Sequence, residues 1–181
     1  MSSLISNKTE CGFVFFNHDS IYQHKVIQFN FTTYDIWRET NIVKLTESCC
    51  NVMLLTDRTD LSSPSNLHPF LYTRVLDVYH VNAIYTGPGI QDYRTHSFNF
   101  LWVWWYEVVD PGSSGWKNST LDSVRFPPMH EDSSFGFVDP NDVLRGCYIF
   151  PVFAKGKQET NVNVSRCAKD AKDYLLYYVG R

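Results

Sequence analysis

The densest apolar run of the chain spans residues 97–109, and its alternating pattern predicts a β-strand. One face of that strand carries Phe98, Phe100, Trp102, Trp104, Tyr106 and Val108, and the other carries Leu101, Val103, Trp105 and Val109. Aromatic and β-branched residues dominate the run, and no Gly or Pro interrupts it. Because both faces are apolar, both must be covered, so we expect a central strand of a sheet or a strand of a barrel.

Other apolar or alternating segments predict further strands on both sides of this run. They cover residues 13–16, 24–34, 51–55, 70–85, 121–126 and 147–153. The first is expected to be an edge strand on the body, and the strand over 70–85 is long enough to bend once. Clusters of Gly, Pro and Ser at residues 86–90 and 110–115 indicate turns.

Helical signals are limited to two places. Asp139 is a suitable N-cap, Pro140 suits the first helical position and Gly146 a helix end, which predicts one helical turn. Near the end of the chain, apolar residues recur at helical spacing at Cys167, Ala171, Tyr174, Leu175 and Tyr178. They predict a short C-terminal helix, although residues 177–179 can equally extend as a strand.

Many short strands with little helix predict a mainly β fold. We expect a small SH3-like or BAH-like barrel with an N-terminal strand extension and a short C-terminal helix. Residues 1–20 are expected to form an N-terminal arm, residues 21–156 the barrel, and residues 157–181 a tail that packs on the barrel.

Composition narrows the possible roles. A chain of 181 residues with 44% hydrophobic and 16% aromatic residues is typical of one globular domain. The net charge of −3 disfavours binding to a phosphate backbone, so DNA binding is expected to be weak at most. The apolar run is too short for a membrane span and contains Glu107, so no membrane partner is expected.

Cysteine usage indicates a reduced, intracellular protein. The five cysteines are irregularly spaced and form no CxxC pair, so neither a disulfide framework nor a zinc site is predicted. The first residues lack a basic stretch followed by an apolar one, so no signal peptide is expected. We expect no cofactor, and the nucleus is the compartment that a chromatin-binding role would require.

Aromatic residues supply the main candidate site. The candidates for an aromatic cage that binds a methylated lysine by cation–π contacts are Tyr79, Tyr85, Trp102, Trp104 and Trp105. The competing interpretation, that they form the core and the barrel wall, is the more frequent fate of large aromatic residues. Among the five candidates, Trp104 is the one expected not to be part of the core or the barrel wall.

The polar residues that are candidates for a functional site have less support from their spacing than the aromatic residues have from their type. His80, His96, Asp77 and Asp92 have the chemistry of a metal or acid–base site, but their spacing matches no ligand motif. Cys147 lies in an apolar strand, where a cysteine is usually an inert small hydrophobe. The turn at residues 87–89 is rich in Gly but lacks the strand-to-helix context of a phosphate loop.

Several stretches resemble a family of uncharacterised fungal proteins found as the C-terminal part of transposase-like open reading frames. The stretches are His24-Lys25-Val26 to Asp35, His68-Pro69-Phe70 to Leu76, Tyr85-Thr86-Gly87-Pro88-Gly89, Phe100 to Glu107, Leu121 to Phe126, and Phe135-Gly136-Phe137 to Cys147. That family has no assigned catalytic residues, so the resemblance implies none here. The chain departs from the family pattern at Trp104, at Tyr148 and in lacking a basic tail after Arg181.

A second likeness is to bromo-adjacent-homology (BAH) modules, which read chromatin. The order of Arg74-Val75, the Trp-rich run, residues 124–128 and Val143 to Cys147 is similar to theirs. The expected function is therefore a non-enzymatic interaction module derived from a DNA transposon, which binds a protein or peptide such as a histone tail. The alternative is a remnant of a transposase-associated DNA-processing enzyme.

Overall fold

A computed structural model describes residues 12–32, 38–45, 50–56, 68–89, 93–109, 121–157 and 173–180, which are mainly β-strand. The first six strands are β1 (Val14–His24), β2 (Val26–Thr32), β3 (Arg38–Lys44), β4 (Asn51–Leu55), β5 (Phe70–Tyr85) and β6 (His96–Trp105). The remaining six are β7 (Glu107–Val108), β8 (Ser123–Arg125), β9 (Phe135–Val138), β10 (Val143–Gly146), β11 (Tyr148–Pro151) and β12 (Tyr177–Gly180). No helix in this part of the chain is long and apolar enough to cross a membrane.

The main sheet is built around β5 and contains six strands, in the order β10-β4-β5-β6-β9 with β1 also on β5. Every strand pair in it is antiparallel. β6 pairs with β5 from Thr73 to Ala83 along one edge. β4 and β1 pair with residues 70–74 and 78–85, so they follow each other along the opposite edge. β5 is thus the longest strand and the centre of the sheet.

Two smaller units cover the main sheet. A second sheet has the order β11-β12-β8-β7, and β2 and β3 form a separate two-stranded hairpin. The Gly146 N–H donates a hydrogen bond of 2.9 Å to the Asn41 Oδ1 atom, which ties this hairpin to β10. The main sheet therefore lies between the hairpin and the second sheet.

Each covered face of the main sheet has its own apolar core. The core under the hairpin includes Phe29, Val43, Val52, Val75, Val78, Leu101 and Val103. The core under the second sheet includes Met53, Tyr72, Trp104, Tyr106, Val124, Phe126, Tyr177 and Val179. This double covering explains why residues 101–105 of the run are apolar on both sides, as expected for a central strand.

The hairpin and the second sheet leave one end of the main sheet uncovered. We call the remaining part the distal sheet, which consists of β1, residues 79–85 of β5 and residues 96–100 of β6. β1 carries an irregularity between Phe16 and Ile21, where His18 and Asp19 adopt left-handed backbone angles. Such a bulge breaks the regular edge of a strand and hinders pairing with another chain there.

Two details of the predicted fold differ from the structure. The described strands form two open sheets and a hairpin, so the SH3-like or BAH-like barrel is not confirmed. The predicted helical turn over 139–146 is only a 3-10 helix, Pro140–Asp142, capped by Asp139 as expected. The following residues form β10 because they pair with β4, which a helix would prevent.

The C-terminal segment follows the alternative that the sequence left open. Residues 177–180 form β12, which lies between β8 and β11 in the second sheet. Tyr177 and Val179 are buried on one side of it, as expected of a strand whose inner face packs on a core. The predicted helix over the preceding residues lies largely outside the described residues.

Candidate functional site

The five cage candidates occupy three separate places. Trp104 is only 2% exposed and stacks on Phe126 with ring centroids 4.0 Å apart. Trp102 is partly buried on the same face of β6. Trp105 is partly buried and packs with the core on the opposite face. Trp104 is thus part of the core.

The two tyrosine candidates lie farther along β5. Tyr79 pairs with Phe100, and their ring centroids are 5.5 Å apart. Tyr85 is the last residue of β5, where its ring packs against Phe13 and closes over Gly87. A Cβ atom at Gly87 would lie 2.2 Å from that ring, so a larger residue there would require the Tyr85 ring to move. The structure does not bring the five candidates together at one point.

A different set of apolar side chains forms a continuous, largely solvent-exposed surface. Directly paired residues of antiparallel strands share a face. This places one group of apolar side chains on the same face of the main sheet as Trp102, mostly in the distal sheet. We call it the aromatic face, and it comprises Phe16, Ile21, Val81, Ala83, Phe98, Phe100 and Phe137. Val81 and Ala83 are buried between their neighbours, whereas Phe98 is 55% and Phe137 72% exposed.

One border of the aromatic face is polar and ordered. The Asp77 carboxylate accepts hydrogen bonds from the Gln23 side-chain amide at 2.6 Å and from the Tyr79 hydroxyl at 2.9 Å. The bond from Gln23 joins β1 to β5 at the point where the covered part of the main sheet ends, and the bond from Tyr79 lies within β5. They hold the Tyr79 ring beside Phe100, so this end of the face is preorganised.

The predicted polar constellation is divided by the sheet. Asp77 and His96 lie on the same side of the main sheet as the aromatic face, His80 lies on the opposite side, and Asp92 lies outside the described residues. His80 instead contacts His24 of β1. No group of three or more His, Cys, Asp or Glu side chains within the described ranges is arranged to hold a metal ion.

An open groove of about 590 Å³ lies beside the second sheet. It is lined by Trp105, Tyr106, Glu107, Arg125, Phe126, Pro127, Pro128, Glu131 and Ser133. The Phe126 ring is already covered by the stacked rings of Trp104 and Tyr106 and by the Arg74 guanidinium, 4.3 Å from its centroid. At the rim, the Arg125 Nε atom donates to the Glu107 carboxylate at 2.8 Å. The groove therefore offers few unoccupied groups.

A buried ion pair joins the main sheet to the C-terminal segment. Arg74 donates two hydrogen bonds to the two carboxylate oxygens of Asp173, at 2.9 and 2.8 Å. Burial lowers the pKa of Arg74, but Tyr106 and Asp173 outweigh that effect and raise the pKa above its ordinary value. The Tyr177 hydroxyl also donates to Asp173, at 2.9 Å. This cluster is saturated with internal bonds and is structural.

The buried His68 and Asp122 resemble a catalytic dyad but are arranged differently. Asp122 accepts a hydrogen bond from the Tyr72 hydroxyl and lies 3.2 Å from the His68 Nε2 atom. The other ring nitrogen, Nδ1, contacts the Phe70 carbonyl oxygen at 2.8 Å and the Phe70 N–H at 3.3 Å. Because both nitrogens are engaged within the protein, the ring has no nitrogen to offer a substrate.

Cys147 is a buried free thiol. Burial raises its pKa from 9.0 to about 12, so at neutral pH it carries its proton. A protonated thiol is a poor nucleophile, which agrees with the inert role predicted for it.

Two features could not be predicted from the sequence. Phe137 belongs to a strand of only four residues, β9, which is too short to show a pattern. His24 and His80 are 56 positions apart, and only the pairing of β1 with β5 brings them together.

Comparison with protein-family models, with curated proteins and with solved structures gave no match.

Proposed function

We propose that this chain is a non-enzymatic interaction module that binds an extended, basic peptide segment of a partner protein. In this proposal the segment adds a strand to the outer edge of β6, and its side chains contact the aromatic face. The observation that carries the proposal is the coincidence of an exposed aromatic surface with a stretch of the β6 edge that no described strand pairs with.

The hydrogen-bonding directions along β6 support an open edge. The Trp105 N–H donates to the Ser134 carbonyl, on the β9 side, at 2.9 Å, whereas the Tyr106 N–H donates to the Tyr72 carbonyl on the β5 side. Alternation along the strand then points the main-chain groups of Asn99 and Ser97 toward the β9 side. β9 ends at Val138, opposite Leu101, so within the described residues no strand pairs with those groups.

An edge of this kind is a template for strand addition. Main-chain hydrogen bonds supply affinity, and every second side chain of the added strand meets the same face of the sheet. Here that face presents the Phe98 and Phe137 rings, which bury much apolar area with little loss of side-chain freedom. A peptide with Val, Ile or aromatic residues at alternate positions matches this surface.

Charge indicates that the partner is basic. Asp139 and Asp142 are exposed at the end of β9, and the 3-10 helix that contains Asp142 lies beside β6. The chain as a whole has a net charge of −3. Lysine or arginine residues that flank the apolar positions of a peptide complement these carboxylates. A lysine-rich histone tail has this charge, which keeps a chromatin role within the proposal.

The alternative enzyme role has less support. A DNA-processing nuclease needs clustered carboxylates around a metal ion. The described part of the chain contains no group of three or more potential metal ligands, and its buried His68 and Cys147 are engaged or protonated. These observations favour a binding role.

Titration with paired synthetic peptides tests the proposal. One peptide alternates Val and Thr between terminal lysines, and the second has the same side chains but methylated nitrogens at alternate positions. We expect saturable binding of the first, measured by fluorescence anisotropy, and about tenfold or weaker binding of the second, because it cannot donate main-chain hydrogen bonds. Equal binding of both, or of neither, would contradict strand addition.

Protein variants localise the same effect. Phe98→Ser and Phe137→Ser remove rings from the aromatic face, and Tyr148→Ser is the matched control because Tyr148 is also exposed but lies in the second sheet. The first two are expected to weaken peptide binding and the control is not. A loss that is equal in all three variants would show that binding is not located on the aromatic face.

A further inference from the structure

We infer that His24 and His80 form a binding site for a divalent transition-metal ion of the Cu²⁺ or Zn²⁺ class. His24 is the last residue of β1 and pairs with Val78, whereas Tyr22 pairs with His80. The two histidines are therefore diagonal neighbours on adjacent strands. They lie on the face of the distal sheet opposite the aromatic face, so this site is independent of the proposed peptide surface.

The two ring nitrogens come close together. The His24 Nε2 atom lies 2.5 Å from the His80 Nδ1 atom. Imidazole nitrogens bind zinc at about 2.0–2.1 Å, so two of them on one ion are about 3 Å apart. The separation of the two nitrogens therefore has to increase by less than about 1 Å, and the rings have to turn so that both lone pairs point at the ion. His24 is exposed and can make that movement without disturbing the core.

The surroundings hold one ring in place. The Tyr22 ring stacks on the His80 ring with centroids 4.6 Å apart and an angle of 10° between the planes. The His24 ring stacks on His80 as well, at 4.8 Å. A ligand whose orientation is fixed before the ion arrives loses less freedom on binding. Water molecules complete the coordination sphere at this exposed position.

The choice of ion follows from the ligand type. Two neutral imidazoles suit Cu²⁺, Ni²⁺ and Zn²⁺, whereas Mg²⁺ and Ca²⁺ prefer oxygen ligands. Among the first group, Cu²⁺ binds a given nitrogen site most tightly. The alternative explanation of the close approach is a simple hydrogen bond, in which one ring donates an N–H to the other. That arrangement requires no metal, so titration separates the two explanations.

The first experiment is calorimetric titration of the metal-stripped, untagged full chain with ZnCl₂. We expect one saturable equivalent, and at least about tenfold weaker binding by His24→Asn and by His80→Asn, since each removes a ligand. His130→Asn is the matched control, because His130 is exposed and lies outside the distal sheet. Failure of wild type to bind, or variants that bind as tightly as wild type, would overturn the inference.

A second measurement does not depend on the variants. Substoichiometric Cu²⁺ should selectively broaden the NMR signals of residues around the pair, such as Tyr22 and Val81, and leave those of the second sheet sharp. Uniform broadening, or broadening centred on His18 or His96, would place the ion elsewhere and contradict the site.

Discussion

Arg74 of β5 and Asp173, which precedes β12, form a two-point ion pair with both side chains largely buried. They are 99 positions apart, and the pair is a polar link between the main sheet and the C-terminal segment. The Arg74 guanidinium also lies over the Phe126 ring of the core under the second sheet. The second sheet is thus anchored to the main sheet by charge as well as by apolar packing.

Removal of one partner of that pair should destabilise the protein strongly. Arg74→Met leaves the Asp173 carboxylate buried without its cation, and such a change typically costs about 3–5 kcal/mol. Urea unfolding followed by tryptophan fluorescence measures the difference in free energy of unfolding.

The matched control for Arg74→Met is Arg125→Met, which breaks the pair between Arg125 and Glu107. Both of those side chains are about half exposed. Exposed pairs typically contribute about 0–1 kcal/mol, so the control should unfold almost like wild type. Similar costs for the two variants would show that the Arg74 pair is not an anchor.

Deletion of residues 173–181 should do more than remove a tail. β12 lies between β8 and β11, so its loss separates these strands and exposes the edges of both. We expect the truncated chain to form oligomers or to lose solubility, measured by size-exclusion chromatography with light scattering. A monomeric truncated protein with an unchanged melting temperature would contradict the central position of β12.

Alkaline pH should destabilise the fold. Burial raises the pKa of Cys147 from 9.0 to about 12 and also raises the pKa of Tyr106 and Tyr177. The folded state therefore retains protons that the unfolded state releases, so stability is complete below about pH 9 and falls between about pH 9 and 12. Urea midpoints at pH 8 and pH 11 measure the loss. A midpoint that is equal or higher at pH 11 would contradict it.

DNA should bind weakly and with strong salt dependence, if at all. The 19 acidic residues of the chain outnumber its 16 Lys and Arg residues, and the net charge of −3 repels a phosphate backbone. Gel shifts at physiological salt should show no nanomolar complex with a random duplex. A nanomolar complex that persists at this salt concentration would revive the DNA-processing alternative.

The sequence predicts the central strands well, because their pattern reflects local physics. Two apolar faces on residues 97–109 require covering on both sides, and residues 101–105 of β6 do lie between two cores. The long strand over residues 70–85 and the short strand over residues 51–55 match β5 and β4. The sequence also leaves residues 177–179 as a possible strand, which β12 confirms.

The rest depends on which strands meet, and local pattern does not show that. Trp102 and Trp104 lie on the same face and have the same local signal, yet only Trp104 lies deep in the core, because the second sheet covers that end of β6. β9 and β10 have four residues each, so their strand character comes from pairing with β6 and β4. The aromatic face is exposed because the second sheet does not extend over the distal sheet. That arrangement is a property of the tertiary fold and not of the local pattern.

The most direct test of the proposed function is amide hydrogen exchange at the outer edge of β6, with and without the lysine-flanked Val/Thr peptide. The free protein should exchange the Ser97 and Asn99 amides quickly, because no described strand accepts their hydrogen bonds. Saturating peptide should slow exchange at these two positions and leave the neighbouring Phe98 and Phe100 amides, which face β5, nearly unchanged. Protection that maps to the second sheet or to β1, or no protection at saturation, would contradict the account.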